Sequence, residues 1–261
     1  MVIKMENIHR DICIQVLLVF VVVIFITVLL VKRFVYFRPM RKLLPTAENY
    51  KVIQNYHING WIAENPNSNK IILFCHGNAG NISYRDRKII TLRDLGFNVL
   101  IFDYSGYGKS TGIPSEEQFY NDASHMVSML TKTYHVSDII VYGESIGGPV
   151  ATYAARRYKI PILILDSPLP SMNTIAKKYL EKFGAISNFL SFPFTEFNTE
   201  LYLNGYNGKT LLIHSIDDEV IPYNTIKNLI NLSTKHISTT GTHNHPDIPF
   251  HEIKRFIEEH S

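Results

Sequence analysis

Short, fully apolar runs of about five residues recur along this chain and alternate with longer segments of helical periodicity. Runs without a polar face are typical of parallel strands that helices cover on both sides. The strand candidates are Ile71–Cys75, Val99–Phe102, Ile139–Tyr142, Ile162–Leu165, Thr210–Ile213 and, more weakly, His236–Ser238. The helix candidates are Asp86–Leu95, Gln118–Lys132, Gly147–Tyr158, Thr225–Leu232 and Pro249–Glu259. The alternation predicts an α/β fold, a doubly wound and mostly parallel sheet with right-handed crossovers.

Two segments depart from this alternation. Tyr50–Ile58 and Trp61–Glu64 flank Asn59-Gly60, which predicts an antiparallel hairpin that turns at this dipeptide. Residues 167–208 contain no strand candidate and are rich in aromatic residues, namely Tyr179, Phe183, Phe189, Phe192, Phe194 and Phe197. An interruption of this length in a compact domain predicts a functional insertion, such as a helical lid over a site.

The amino-terminal part of the chain contains a twenty-residue apolar run, Ile12–Val31. A helix of that length crosses roughly 30 Å, the hydrocarbon thickness of a bilayer. A core helix would carry a polar face, and the apolar part of a cleaved signal peptide would be shorter and end in small residues rather than in Lys32 and Arg33. We therefore expect a short tail (1–11), a transmembrane anchor (12–31), a basic linker (32–49) and one domain (50–261).

The strongest local motif is Gly143-Glu144-Ser145-Ile146-Gly147, directly after a predicted strand and at the start of a predicted helix. In a nucleophile elbow the serine occupies a strained turn, and the glycines two residues before and after it let the backbones pass closely. The small residues Gly148, Ala151, Ala154 and Ala155 allow the following helix to lie against the sheet. Ser145 is therefore the candidate nucleophile.

A serine nucleophile needs a base, here a histidine, and the histidine needs a carboxylate to orient it. In this arrangement the acid follows the serine along the chain, and the histidine follows the acid. Three acids, Asp217, Asp218 and Glu219, follow the run Thr210–Ile213, and the pattern alone does not choose among them. The histidine candidate is His243, which follows the last weak strand, and its rivals are His245 and His251.

The loop after the first apolar run, His76-Gly77-Asn78-Ala79-Gly80-Asn81, is a candidate for binding an oxyanion. Backbone N–H groups stabilise a tetrahedral intermediate, one from the residue after the nucleophile and one from such a loop. Those residues would be Ile146 and Asn78. The loop lacks the spacing of a phosphate-binding loop.

The segments HGNAGNIS, FDYSGYGKSTGIPSE, GESIGG, HSIDDEVIP and GTHN resemble successive landmarks of α/β-hydrolase-fold serine hydrolases, over about residues 50–260. More narrowly they resemble the membrane-anchored α/β-hydrolase domain-containing group. The resemblance implies Ser145, Asp218 and His243 as the catalytic residues, with Asn78 and Ile146 at the oxyanion positions. Departures are Ser105 in place of a common arginine, Ser215 in place of glycine and His245 in place of an acid, of which Ser105 and His245 bear on substrate contacts.

Charge and sequons bear on topology and partners. Residues 1–42 hold seven basic and two acidic residues, a net charge of +5, whereas the remaining 19 basic and 21 acidic residues give −2. The basic collar suits anionic headgroups, and the total of +3 indicates no nucleic acid. The positive-inside tendency favours a cytoplasmic domain, although single-span anchors also run the other way. Asn81 and Asn231 each begin an N-glycosylation sequon. A glycan at Asn81 would obstruct the candidate site, so this sequon also favours a cytosolic location of the domain.

These features predict a membrane-anchored serine hydrolase that cleaves an ester or thioester, with an apolar acyl or lipid substrate, through an acyl-enzyme on Ser145. The mechanism needs no cofactor, and the scattered histidines and the two cysteines give no metal-ligand spacing. Relatives in the wider group depalmitoylate proteins or act on glycerolipids. The alternatives are a serine peptidase, which the motifs do not separate, and a catalytically silent scaffold that binds a partner at the membrane.

Overall fold

The computed structural model describes residues 11–23, 26, 40, 50–191, 194 and 196–261, without the side chains of residues 185, 186, 189 and 190. The chain divides into two compact units, Met1–Arg38 and Pro39–Ser261. In the first unit residues 11–23 are helical, with exposed apolar side chains such as Val16 and Leu17. Residues 24, 25 and 27–31 of the predicted anchor lie outside the described residues, as do residues 1–10 of the tail and all of the linker except Met40. Within the described ranges, none of the helices has the length and apolar character needed to span a bilayer.

The second unit is built on an eight-stranded sheet in the order β1-β2-β4-β3-β5-β6-β7-β8. The strands are β1 (Lys51–Asn55), β2 (Ile58–Ala63), β3 (Ile71–Cys75), β4 (Asn98–Phe102), β5 (Ile139–Glu144), β6 (Ile162–Asp166), β7 (Lys209–Ser215) and β8 (Lys235–Thr239). β2 pairs antiparallel with β1 and with β4, and the strands from β4 to β8 pair in parallel. The predicted mostly parallel sheet is thus confirmed.

Helices cover both faces of this sheet. They are α1 (Asp86–Asp94), α2 (Glu116–Leu130), α3 (Gly147–Tyr158), α4 (Met172–Leu180), α5 (Ser187–Ser191), α6 (Thr199–Leu203), α7 (Lys227–Leu232) and α8 (Phe250–Glu259). On one face Ile72 and Phe74 of β3 share a core with Ile89 of α1 and Phe256 of α8. The strands β3, β4 and β6 are buried at every position, which explains why they carry no polar residue on either face apart from their ends.

The amino-terminal hairpin exists, but its predicted turn is wrong. The strands turn at Tyr56-His57, where Tyr56 adopts φ +54°, and Asn55 pairs with Ile58. Asn59 lies inside β2, where its side chain donates to Asp103 Oδ2 at 3.0 Å and its N–H donates to Ser110 Oγ at 2.9 Å. These buried tertiary hydrogen bonds outweigh the local turn preference of an Asn-Gly pair.

The segment between β6 and β7 contains α4, α5 and α6 and, within its described residues, no strand. Phe197 is buried and packs edge-on against Phe119, with ring centroids 5.8 Å apart. Tyr179 and Phe183, in contrast, are 55% and 51% exposed. Of the other predicted aromatic residues, the side chain of Phe189 and the whole of Phe192 lie outside the described residues.

Candidate active site

Ser145 occupies the sharp turn between β5 and α3 and adopts φ +53°, a left-handed conformation that is strained for a side chain other than glycine. Its N–H donates to the carbonyl of Asp166 at 3.0 Å, and its carbonyl accepts from Leu169 at 3.0 Å. A Cβ added to Gly147 would lie 2.1 Å from the carbonyl oxygen of Cys75, so only glycine fits there. The backbone around Ser145 is therefore held in the geometry of a nucleophile elbow.

His243 lies in the turn between two short strands, β9 (Gly241–Thr242) and β10 (His245–Pro246). Its Nε2 is 3.0 Å from Ser145 Oγ, and its Nδ1 is 2.7 Å from Asp218 Oδ2. His245 and His251, the rival candidates, are exposed residues of β10 and α8. The structure thus brings His243 to the serine.

Asp218 is the buried member of the acidic triplet. Its Oδ1 accepts the N–H groups of Val220 and Ile221, at 2.9 and 2.7 Å, which leaves Oδ2 for His243. Burial alone would raise the pKa of Asp218, but the hydrogen bond and charge of His243 and the N–H of Ile221 lower it below its usual range. Asp217 is exposed, so the ambiguity among the three acids resolves in favour of Asp218 as the partner of His243.

Glu219 has a role in the site geometry that the sequence pattern does not reveal. Its carboxylate accepts the backbone N–H of His243 at 3.0 Å, and this hydrogen bond lowers the pKa of the carboxyl group. The turn that carries Asp218 is thereby joined to the turn that carries His243. The only sequence signal for this contact is the third acid of the triplet.

The two residues predicted to bind the oxyanion, Asn78 and Ile146, lie on different elements, and their role stays a prediction. Ile146 is the amino-terminal cap of α3, where backbone N–H groups have no carbonyl four residues earlier to bond. Asn78 lies in the loop after β3, and its Oδ1 accepts from the hydroxyl of Tyr107 at 2.8 Å. A Cβ added to the neighbouring Gly77 would lie 3.4 Å from Ser145 Cβ, so this loop packs directly against the nucleophile.

Four charged residues form a mostly buried cluster next to the elbow. Glu144 pairs with Arg85 at 2.7 Å and with Lys88 at 2.7 Å, and Lys88 also pairs with Asp166 at 2.8 Å. Burial would raise the pKa of Glu144, but the charges of Arg85 and Lys88 outweigh it and hold the pKa far below its usual range. Sequence reasoning missed this cluster, for which the acid at the second position of the elbow motif is the only signal.

His76 is a buried, neutral histidine beside the same loop. Its Nδ1 lies 2.7 Å from the carbonyl oxygen of Gly77 and so carries the proton, and its ring is 4.4 Å from that of Tyr104. Burial, together with the charge of Arg85, lowers the pKa of His76 to about 3.

Two of the three departures from the family pattern, Ser105 and Ser215, make hydrogen bonds within the domain. Ser105 is buried, and both its N–H and its hydroxyl donate to Asp122, at 2.7 and 3.0 Å. The hydroxyl of Ser215 donates to the carbonyl of Gly241 and accepts from the N–H of Asp217. Ser215 therefore ties the acid turn to β9, which leads into His243. In the part of the chain that the structure describes, no three His, Cys, Asp or Glu residues are grouped to hold a metal ion.

Comparisons with known proteins agree with the observed fold. A profile of the alpha/beta hydrolase fold family matches residues 70–200. The chain belongs to the α/β-hydrolase family. A relative from Acanthamoeba polyphaga mimivirus, an uncharacterized protein, is 31% identical over 225 residues, which cover 76% of this chain and 75% of that protein.

A second relative of this α/β-hydrolase is the lysophosphatidylserine lipase ABHD12 of Danio rerio, 31% identical over 70% of this chain. The match spans only 52% of the lipase, about half its length. Among solved structures, an esterase of Pyrococcus furiosus superposes with a TM-score of 0.67 and covers 86% of this chain and 98% of the esterase. At 21% identity that likeness concerns the fold.

Proposed function

We propose that this α/β-hydrolase is a membrane-anchored serine hydrolase that cleaves an ester or thioester of an apolar acyl chain through an acyl-enzyme on Ser145. One observation carries the proposal: a continuous hydrogen-bond chain joins Ser145 Oγ to His243 at 3.0 Å and His243 to the buried Asp218 at 2.7 Å. Such a chain activates a hydroxyl that is otherwise a weak nucleophile.

In the proposed reaction His243 Nε2 takes the proton of Ser145 while Oγ attacks the carbonyl carbon of the substrate. The carbonyl oxygen becomes an oxyanion that accepts from the N–H groups of Asn78 and Ile146. Collapse of this intermediate breaks the bond to the leaving group, which receives the proton from His243. Water then attacks the acyl-enzyme by the same route, with His243 as base, and releases the carboxylic acid and free Ser145.

An apolar acyl substrate is supported by the surface next to the acid turn. Tyr179 and Phe183, in the insertion (about 167–208) that we propose as a lid, are more than half exposed, and the hydroxyl of Tyr179 donates to the carbonyls of Glu219 and Val220. Each CH₂ of an acyl chain that is buried against this surface would contribute about 0.8 kcal/mol to the free energy of binding. The Danio rerio relative is a lysophosphatidylserine lipase, and a lysophospholipid is a substrate of this apolar acyl class.

Membrane attachment through residues 12–31 is part of the proposal, with the domain on the cytoplasmic side. The apolar run and the basic collar support the first point. Asn81 supports the second, because its side chain is buried and hydrogen-bonded to Ser83 and to the carbonyl of Met40, so the folded domain has no room for a glycan there.

The test is fluorophosphonate labelling of the full chain in cell membranes washed with alkaline carbonate. We expect the wild type to be labelled in the pellet and Ser145→Ala to be unlabelled, because only an activated serine attacks phosphorus at an appreciable rate. Deletion of residues 12–31 should move the labelled protein to the supernatant. If the folded wild type is not labelled, the enzyme hypothesis is refuted and the scaffold is favoured. If the variant without residues 12–31 stays labelled in the carbonate-washed pellet, the anchor is refuted.

A further inference from the structure

Asn78, the residue proposed to donate to the oxyanion, lies between two residues whose backbones are held by charged side chains. The N–H of Gly77 lies 3.3 Å from Glu144 Oε1, and the carbonyl of Ala79 accepts from Arg85 Nη1 at 2.5 Å. Arg85 and Glu144 are themselves joined, since Nη2 and Nε of Arg85 lie 2.7 and 3.1 Å from the same Oε1. The Arg85–Glu144 ion pair is therefore hydrogen-bonded to the loop on both sides of Asn78.

We propose that Arg85 and Glu144 form a clamp of positioning residues that aims the backbone N–H of Asn78 at the oxyanion of the reaction. This inference rests on the proposed function, because it assigns the clamp to a step of that reaction. The bonds to the Gly77 N–H and to the Ala79 carbonyl fix the two ends of the three-residue segment whose middle residue is Asn78. The carbonyl of the Gly77–Asn78 peptide is held as well, by His76 Nδ1 at 2.7 Å, and the trans N–H points the opposite way.

The clamp packs against the loop without spare room. A Cβ added to Gly77 would lie 2.7 Å from Glu144 Oε1 and 3.0 Å from Arg85 Nη2. The side chains of Arg85 and Glu144 are only 12% and 14% exposed. Hydrogen bonds between charged groups are stronger in such a shielded place than on the surface, so the clamp is rigid enough to orient a backbone group.

Lys88 provides a matched control within the same cluster. Its Nζ bonds Glu144 Oε2 and Asp166 Oδ2, at 2.7 and 2.8 Å, and these are its hydrogen bonds within the described residues. Loss of Lys88 or of Arg85 removes one positive charge from the cluster, but only Arg85 contacts the loop of Asn78. A difference in kcat between the two variants therefore reports the effect of the clamp on the loop, because the cost of an uncompensated buried charge is common to both.

The experiment compares Arg85→Met with Lys88→Met in the full chain, with p-nitrophenyl butyrate as substrate. We expect kcat of Arg85→Met to be at least tenfold below that of Lys88→Met, with KM values within about twofold of each other, because oxyanion donors act on the transition state. Hydrogen–deuterium exchange of residues 77–80 should be faster in Arg85→Met and unchanged in Lys88→Met.

A second pair of variants keeps the test decisive if a methionine variant fails to fold. Arg85→Lys and Lys88→Arg retain the charges, and only Arg85→Lys loses the fork that reaches both Glu144 and Ala79. Equal kcat values within either pair, or unchanged exchange of residues 77–80 on loss of Arg85, would overturn the clamp. If the wild type hydrolyses no ester the proposed function fails, and the exchange comparison still decides whether Arg85 and Glu144 hold the loop.

Discussion

The carboxylate of Asp218 does two things at once. One oxygen accepts two backbone N–H groups of its own turn, and the other accepts Nδ1–H of His243. The turn is therefore folded around the same group that fixes the histidine tautomer. This dual role separates Asp218 from Asp217, whose side chain is exposed one position earlier in the chain.

Replacement of these two aspartates by asparagine should have very different effects. We expect Asp218→Asn to lower kcat by about 10³- to 10⁴-fold, because an amide N–H facing Nδ1 favours the wrong tautomer of His243. Asp217→Asn, the matched control, should stay within about threefold of wild type. Steady-state hydrolysis of p-nitrophenyl butyrate, with thermal unfolding to verify that each variant folds, measures both. A larger loss in Asp217→Asn would reassign the acid.

Among the described helices of the insertion, α4 has a direct hydrogen bond to the turn that carries Asp218. The hydroxyl of Tyr179 donates to the carbonyls of Glu219 and Val220, at 3.1 and 3.0 Å, and the Glu219 carboxylate holds the N–H of His243. The insertion, the acid turn and the histidine turn thus form a chain of contacts. We therefore expect movement of α4 to shift the position of His243, the proposed base.

Removal of the Tyr179 hydroxyl tests this connection. Tyr179→Phe should lower kcat several-fold while it lowers the free energy of unfolding by only about 1 kcal/mol, since the substitution removes a single, partly exposed hydroxyl that two carbonyls share. Tyr223→Phe removes a hydroxyl bonded to Ser238 Oγ and serves as the control, with kcat expected to remain at the wild-type value. Steady-state kinetics gives kcat, and urea unfolding gives the free energy of unfolding. Equal kcat in both variants would separate the insertion from catalysis.

Element positions were predictable where local pattern and tertiary context agree. The strand Ile71–Cys75 and the helix Gly147–Tyr158 occur with the predicted bounds, because their burial or small-residue pattern is also what the sheet requires. The hairpin turn was not predictable from Asn59-Gly60, since the partners of Asn59 are Asp103 and Ser110, more than forty residues away. Contacts of that separation leave no periodic signal in the sequence.

At the scale of the whole molecule, the residues that meet at the candidate site could be predicted from the sequence, and the buried charges beside them could not. Ser145, His243 and Asp218 lie in recognisable motifs, and the structure brings them within hydrogen-bond distance. Arg85, Lys88 and Asp166 meet Glu144 only because α1 and the end of β6 converge beside the elbow. His76, whose ring packs against those of Tyr104 and Tyr107, is buried and neutral.

These buried groups predict loss of stability in mild acid. The folded-state pKa of His76 is about 3, against a usual value near 6.5. Between those values the unfolded chain binds a proton that the folded protein excludes, so the free energy of unfolding falls by about 1.4 kcal/mol per pH unit as pH decreases. The lowered pKa of Glu144 acts in the same direction below about pH 4.5.

Urea unfolding of the full chain in detergent, from pH 7 to pH 5, measures this slope. In His76→Asn, whose shorter amide does not titrate, the slope below pH 6.5 should be smaller than in wild type by about one proton, or about 1.4 kcal/mol per pH unit. His214 and His236 keep their contribution in both proteins, because burial lowers the pKa of each. A variant with the wild-type slope would mean that His76 is protonated in the folded protein, which would place an uncompensated charge beside Arg85 and the loop of Asn78.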